Sequence, residues 1–150
     1  MAFLSENDQN EIKRLFEQLT GNVRLIYFTQ RESPLIIPGQ ECGSCKDTRL
    51  LLEEVAALSD KIQLEVHDFV ADSEIAREHG IDQIPALVMT SEGVKGKVRY
   101  FGMPSGYEFA VLVGGLLDVS QGKSDLSEET VEVLRDLDKD LHIQVFVTPT

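Results

Sequence analysis

Tryptophan is absent, and only two of the 150 residues are cysteine. A secreted scaffold stapled by several disulfides is therefore excluded. Cations are also scarce. Fourteen Lys and Arg stand against 26 Asp and Glu, a formal net charge of −12. Binding to nucleic acid or to an anionic membrane needs clustered cations, and no such cluster occurs. No apolar run approaches the roughly 18 residues of a membrane span. The opening Met1-Ala2-Phe3-Leu4-Ser5-Glu6-Asn7-Asp8 lacks the basic and apolar regions of a secretory signal. A reducing, cytoplasmic compartment is the expectation. What is present is ordinary globular composition, 42% hydrophobic and 27% charged. It allows one domain of roughly 100–150 residues with a sizeable core.

Periodicity divides the chain. Ser5 and Asp8 form a capping-box pattern. Ile12, Leu15, Phe16 and Leu19 follow at helical spacing, so residues 6–19 read as an amphipathic helix ended by Gly21. Val23 to Phe28 reads as a buried strand. Pro34, Pro38 and Gly39 mark a loop. Leu51, Val55 and Leu58 suggest a helix over 45–58, and Ile62, Leu64 and Val66 alternate with polar residues as a strand does. A short helix over 73–79 is closed by Gly80. Residues 86–90 and 97–101 read as a hairpin around Ser91-Glu92-Gly93. A last helix spans about 105–117. The order α-β-α-β-α-β-β-α places a parallel pair and an antiparallel hairpin in one α/β sheet.

Residues 121–150 differ from this body. A polar stretch, 120–124, leads to an acidic helix with Leu126, Val133, Leu134 and Leu137, and 141–147 reads as a strand. This tail reads either as a repeat of the head or as the alignment that any amphipathic helix before any strand would give. Shifted by 118 residues, Ile12, Leu15, Phe16 and Leu19 fall on Thr130, Val133, Leu134 and Leu137, and Leu25 and Phe28 fall on Ile143 and Phe146. The expected division is a unit at 1–120 and, at 121–150, the helix and strand that open a second, truncated unit. An orphan apolar strand recruits a partner. The tail is therefore expected to pack on residues 1–120 or to form a homodimer through that strand.

The chemistry lies at Cys42-Gly43-Ser44-Cys45. Two cysteines at this spacing, at the start of a helix, can close a disulfide ring. Unpaired N–H groups at the helix start stabilise a thiolate at the first sulfur, and the second resolves a mixed disulfide. Glu41 should oppose ionisation of Cys42, and Lys46 could ease it at Cys45. Half of a zinc site is the competing reading, but no other cysteine exists and His67, His79 and His142 are scattered. A metal would need two chains, and inert thiols also remain open. Ile84-Pro85 precedes a strand, where the missing N–H of a proline costs no ladder bond. It is either a plain loop proline or a cis proline that leaves the Ile84 backbone free to pair with an extended segment.

These elements resemble the thioredoxin superfamily. More closely they resemble the protein disulfide oxidoreductases of thermophilic prokaryotes, glutaredoxin-like proteins that join two thioredoxin-like units. The carrying segments are Cys42-Gly43-Ser44-Cys45, residues 81–86 around Pro85, residues 99–109 and residues 145–150. The resemblance implies a thioredoxin-like fold, a mixed sheet of about four strands flanked by helices, plus the terminal helix and strand. It implies that Cys42 is the nucleophile, Cys45 the resolving thiol and Pro85 a cis proline, with Ile84, Gly43 and Ser44 beside it on the substrate surface.

Two departures stand out. The loop 31–41 is longer than the family's usual step and carries Leu35-Ile36-Ile37, which either packs on the domain or forms an apolar lip beside the site. Tyr27 stands where simple thioredoxins have a buried acid, so the proton acceptor for Cys45 falls among Glu41, Glu65, His67 and Asp68. The expected function is dithiol–disulfide exchange with protein substrates, without bound cofactor or metal, served by a thioredoxin-reductase-like flavoprotein. The alternatives are an electron relay between a flavin reductase and a peroxidase, or a redox-inactive peptide-binding module.

Overall fold

The computed structural model describes residues 2–31 and 41–147. The first helix, α1 (Glu6–Phe16), starts at the expected capping box. The Asp8 N–H donates to Ser5 Oγ at 3.2 Å and the Ser5 N–H donates to Asp8 Oδ2 at 3.1 Å. β1 (Val23–Thr29) follows, then α2 (Cys45–Ala56), β2 (Ile62–Asp68), α3 (Ser73–His79), β3 (Ala86–Ser91), β4 (Val98–Phe101), α4 (Tyr107–Gln121) and α5 (Glu128–Arg135).

The four strands form one mixed sheet in the order β2-β1-β3-β4. β1 is parallel to β2, with Tyr27 opposite Val66, and antiparallel to β3, with Phe28 opposite Ala86. A central strand covered on both faces must be apolar on both, which is why Leu25, Ile26, Tyr27 and Phe28 are consecutive and fully buried. Leu25 and Tyr27 share a core with Ile12 and Phe16 of α1, Leu51, Leu52 and Val55 of α2, and Leu112 and Leu116 of α4. Ile26 and Phe28 share the second core with Ala76 of α3, Ile81, Ala86 and Val88.

Close approach explains Gly115. A Cβ there would lie 3.0 Å from Cε of Met89, so glycine lets α4 settle onto β3 without pushing that flexible side chain aside. Gly80 ends α3 in the left-handed region, at φ 68°. The end of α4 is latched to the turn after α1. Ser120 Oγ accepts from the Thr20 and Gly21 N–H groups at 2.9 and 3.0 Å, and donates to the Gly21 carbonyl at 2.8 Å.

Several boundaries differ from expectation. β3 and β4 are joined by residues 92–97, a longer link than the tight turn at Ser91-Glu92-Gly93. Val94 in that link lies beside Gly122 at the end of α4, a contact outside the turn at Ser91-Glu92-Gly93. α4 runs to Gln121 rather than 117, because its C-cap is Gly122. The expected strand at 141–147 does not form. A strand needs a ladder partner, and the sheet's four strands pair only among themselves. Ile143, Val145 and Phe146 are 79–88% exposed. α5 has no buried residue, so the tail does not pack on residues 1–120 as one expectation had it. The segment Leu35-Ile36-Ile37 lies outside the described residues.

Candidate active site

Cys45 is the first residue of α2, and Cys42 precedes it by one turn. The two form a disulfide with a Cα–Cα distance of 5.4 Å. Their surroundings differ. Cys45 faces the core and is 3% exposed, whereas Cys42 is partly open to solvent. An incoming disulfide therefore meets Cys42 first. The sulfur of Cys42 sits at a helix start, where unpaired N–H groups favour negative charge.

β1 supplies groups that contact both cysteines. The phenolic O–H of Tyr27 donates to the Cys45 carbonyl at 2.7 Å. Side-chain hydroxyls of Thr29 and Thr48 also interact with that phenol, which burial pushes above its ordinary pKa. Thr48, fully buried one turn into α2, donates through Oγ1 to the Ser44 carbonyl at 2.7 Å. At the end of β1, Gln30 Oε1 accepts the Cys42 N–H at 2.9 Å. No sequence pattern singles out Gln30 or Thr48, and Tyr27 stands out there only as a missing acid.

Pro85 lies at the same end of the sheet. Ala86 is opposite Phe28, so Pro85 stands level with the last residues of β1, from which Gln30 reaches Cys42. The Ile84–Pro85 peptide bond is cis. Pro85 is buried, and its carbonyl accepts the Gly102 N–H at 2.8 Å. The Ile84 N–H and C=O have no partner among the described residues. Gly43 is exposed and has open space around its Cα, and Ser44 is partly buried as the N-cap of α2. Glu41 and Lys46 are exposed on either side of the pair.

Of the groups expected as proton acceptors, Glu41 is exposed beside the pair, and Glu65, Asp68 and His67 are engaged elsewhere. Arg24 donates to both carboxylate oxygens of Glu65 at 2.7 and 2.9 Å and holds that acid below its ordinary pKa. Asp68 accepts N–H groups from Ala71, Arg31 and Val70; the Ala71 bond above all lowers its pKa. His67 stacks on Phe28, with ring centroids 5.6 Å apart, and lies 3.5 Å from Asp72. Phe28 belongs to the α3 core, away from the α2 face that carries Cys45. Among the described residues, no hydrogen bond joins Cys45 to Glu41, Glu65, His67 or Asp68, and no three or more His, Cys, Asp or Glu gather as a metal site. No helix among them is long and apolar enough to cross a membrane.

A disulfide with one open and one covered sulfur at a helix start is an arrangement that carries out thiol–disulfide exchange. Comparison with known proteins agrees. The F component of alkyl hydroperoxide reductase from Xanthomonas campestris pv. phaseoli is 32% identical over 96 residues, covering 64% of this chain and 16% of that protein. The protein disulfide oxidoreductase of Aeropyrum pernix K1 superposes with a TM-score of 0.73 at 24% identity, over 91% of this chain and 56% of that one. A mutant of the corresponding alkylhydroperoxide reductase component from Enterococcus faecalis gives 0.74 at 22% identity, over 91% and 62%. The chain spans 16 to 25% of the length of the first curated relatives it matches. The family described as Thioredoxin domain matches residues 35–114, and with more than half of its length in that match the chain belongs to the thioredoxin domain family.

Proposed function

We propose that residues 1–120 form a dithiol–disulfide oxidoreductase unit that acts on protein disulfides in a reducing, cytoplasmic compartment. The single observation that carries this reading is the Cys42–Cys45 disulfide with only Cys42 accessible. In the reducing direction, the Cys42 thiolate attacks one sulfur of a substrate disulfide. The substrate S–S bond breaks, one substrate thiolate leaves, and a Cys42–substrate disulfide forms. Cys45, losing its proton, then attacks the Cys42 sulfur. The second substrate thiolate leaves and the Cys42–Cys45 bond closes. Two electrons pass from the dithiol to the substrate within sulfur–sulfur bonds, so the step itself requires no bound cofactor. Ile84 and Pro85, with Gly43 and Ser44, would receive the extended segment around the target disulfide, since the Ile84 backbone has hydrogen-bonding capacity to spare.

Regeneration needs an external dithiol or a flavoprotein reductase. The relatives named for alkyl hydroperoxide reductase favour a second reading of the same site, a relay that hands electrons from a flavoprotein to a peroxidase. The tail, residues 121–147, repeats the opening helix pattern and would begin a second unit, or pair with the tail of another copy. Reduction of insulin by dithiothreitol, with and without the domain, tests the main reading. Wild type should accelerate it, Cys42→Ser should abolish the acceleration, and Cys45→Ser should accumulate mixed disulfides. A Cys42→Ser protein as active as wild type would refute the assignment.

A further inference from the structure

We propose that Tyr27 and Gln30 are positioning residues that clamp the two cysteine backbones at ring-closing distance. This inference rests on the exchange chemistry proposed above. Both residues belong to the β1 region: Tyr27 lies within the strand and Gln30 directly follows it. Tyr27 donates to the Cys45 carbonyl, and Gln30 accepts from the Cys42 N–H. β1 and the residue directly after it thereby hold the two ends of a four-residue ring whose terminal Cα atoms stand 5.4 Å apart.

The two ends need this hold unequally. Cys45 is the first residue of α2 and packs into the core. Cys42 lies outside the helix, three residues before its start. Among the described residues, the other backbone tie of Cys42 is the 3.4 Å bond from the Cys45 N–H to its carbonyl. When the disulfide is closed, the sulfur bridge already fixes Cys42, and the Gln30 bond forms without further ordering. When the disulfide is open, the same bond must itself fix the Cys42 backbone, which lies outside α2. The clamp is therefore worth more in the oxidised form than in the dithiol form, because ordering a backbone carries an entropic cost. By linkage it shifts the equilibrium toward the closed ring. Tyr27 holds the other end in both redox forms, because Cys45 belongs to α2 and packs into the core whether or not the disulfide is closed. Its ring is completely buried and fixed by core packing, so its O–H is aimed before Cys45 needs it.

Neither side chain exchanges a proton or electron. The phenol stays neutral, since burial raises its pKa. Tyr27 therefore replaces a buried acid in position but not in chemistry.

The test uses the full chain and three proteins: wild type, Tyr27→Phe and Gln30→Met. Each variant keeps the approximate shape of the side chain and removes one clamp. The disulfide–dithiol equilibrium against a graded glutathione series is read by thiol alkylation. Gln30→Met should show the equilibrium constant for ring closure lowered by up to about fivefold, the whole effect of one hydrogen bond, and Tyr27→Phe a smaller change, because Cys45 is fixed in α2 in both redox forms. For a two-electron couple the fivefold change is about 20 mV toward a more oxidising potential. Thermal melts of both redox forms should show the oxidised form losing more stability than the reduced form. An equilibrium constant of Gln30→Met within twofold of wild type, or an equal loss of stability in its two redox forms, overturns the proposal. Gln30 is exposed, so its variant decides the matter even if Tyr27→Phe disturbs folding. The glutathione equilibrium needs no protein substrate. A wild type that exchanges with glutathione but fails on insulin disulfides would remove the functional reading and leave the clamps to be judged by their own constants.

Discussion

Reduced protein should be alkylated at Cys42 well before Cys45, and the structure sets the size of the gap. Cys42 is partly open, while Cys45 is 3% exposed beneath the first turn of α2. A reagent reaches Cys45 only if that turn opens. Opening breaks the Tyr27–Cys45 bond and the Thr48–Ser44 bond, each 2.7 Å long. At about 1 kcal/mol apiece, these amount to about 2 kcal/mol, or roughly 30-fold protection through local opening. Loss of core packing around Cys45 adds to this. The assay is a short exposure of the reduced protein to iodoacetamide at neutral pH, a quench with acid, and peptide mass spectrometry to count label at each cysteine. Labelling at Cys42 should run at least an order of magnitude ahead. The Thr48→Val variant, which loses one of the two bonds, should narrow the gap about fivefold. Equal labelling of the two cysteines, or labelling of Cys45 first, would refute both the burial argument and the assignment of Cys42 as nucleophile.

Three further outcomes follow from the same geometry. Glu41→Gln should speed alkylation of Cys42 near pH 7 by about two- to fivefold, a small effect because the exposed carboxylate is screened by water; an unchanged rate would mean that this charge does not reach the sulfur. Burial lowers the pKa of His79, whose Nδ1 has no hydrogen-bond partner, so the unfolded chain takes up its proton more readily than the folded one. Stability should therefore be full above pH 6.5 and fall as the pH drops through that value, the loss continuing at lower pH as the depressed carboxylates Glu65 and Asp68 are protonated. Urea midpoints at pH 7.5 and 5 should differ less in His79→Gln than in wild type, and an identical difference would assign the effect elsewhere. Deleting residues 124–150 should leave the melting temperature and Cys42 labelling intact, since α5 buries nothing against the body, and should abolish any self-association seen by sedimentation; a sharp loss of stability would show that the tail packs after all.

Local patterns carry most of the fold. The capping box at Ser5, the apolar run of β1 and the alternation of β2 each depend on neighbours within a few residues, and each appears where periodicity places it. Errors arise where the deciding partner is remote in sequence. Glu92-Gly93 resembles a tight turn, but Val94 meets Gly122. The pattern of α4 fades at Leu117, yet Val119 and Ser120 are buried, Ser120 because its hydroxyl caps the turn at Thr20 and Gly21 about 100 residues away. The stretch 141–147 has ideal strand composition and no strand, because composition cannot provide a ladder partner.

The site divides in the same way. Cys42 and Cys45 are close in the chain, so their pairing and their place at a helix start can be read directly. The groups that act on them come from the end of β1, 12 and 18 positions away, and only folding brings them close. Tyr27 shows what sequence comparison alone conceals. Where simple thioredoxins resemble one another in an acid, this chain has a phenol, and that reads as a loss. In the structure the same position is filled and bonded. The bond is made through a donor that stays neutral, so Tyr27 can orient Cys45 but cannot take its proton. Glu65 and Asp68 are committed to Arg24 and to backbone N–H groups, and His67 lies on the other face of the sheet. The proton that leaves Cys45 during resolution then has no buried carboxylate to receive it. Its acceptors in the proposed cycle are water, the exposed Glu41 and the departing substrate thiolate, all on the open side of the pair where Cys42 meets solvent. The resolving step should accordingly follow the basicity of the leaving thiol more closely than any titration within the core.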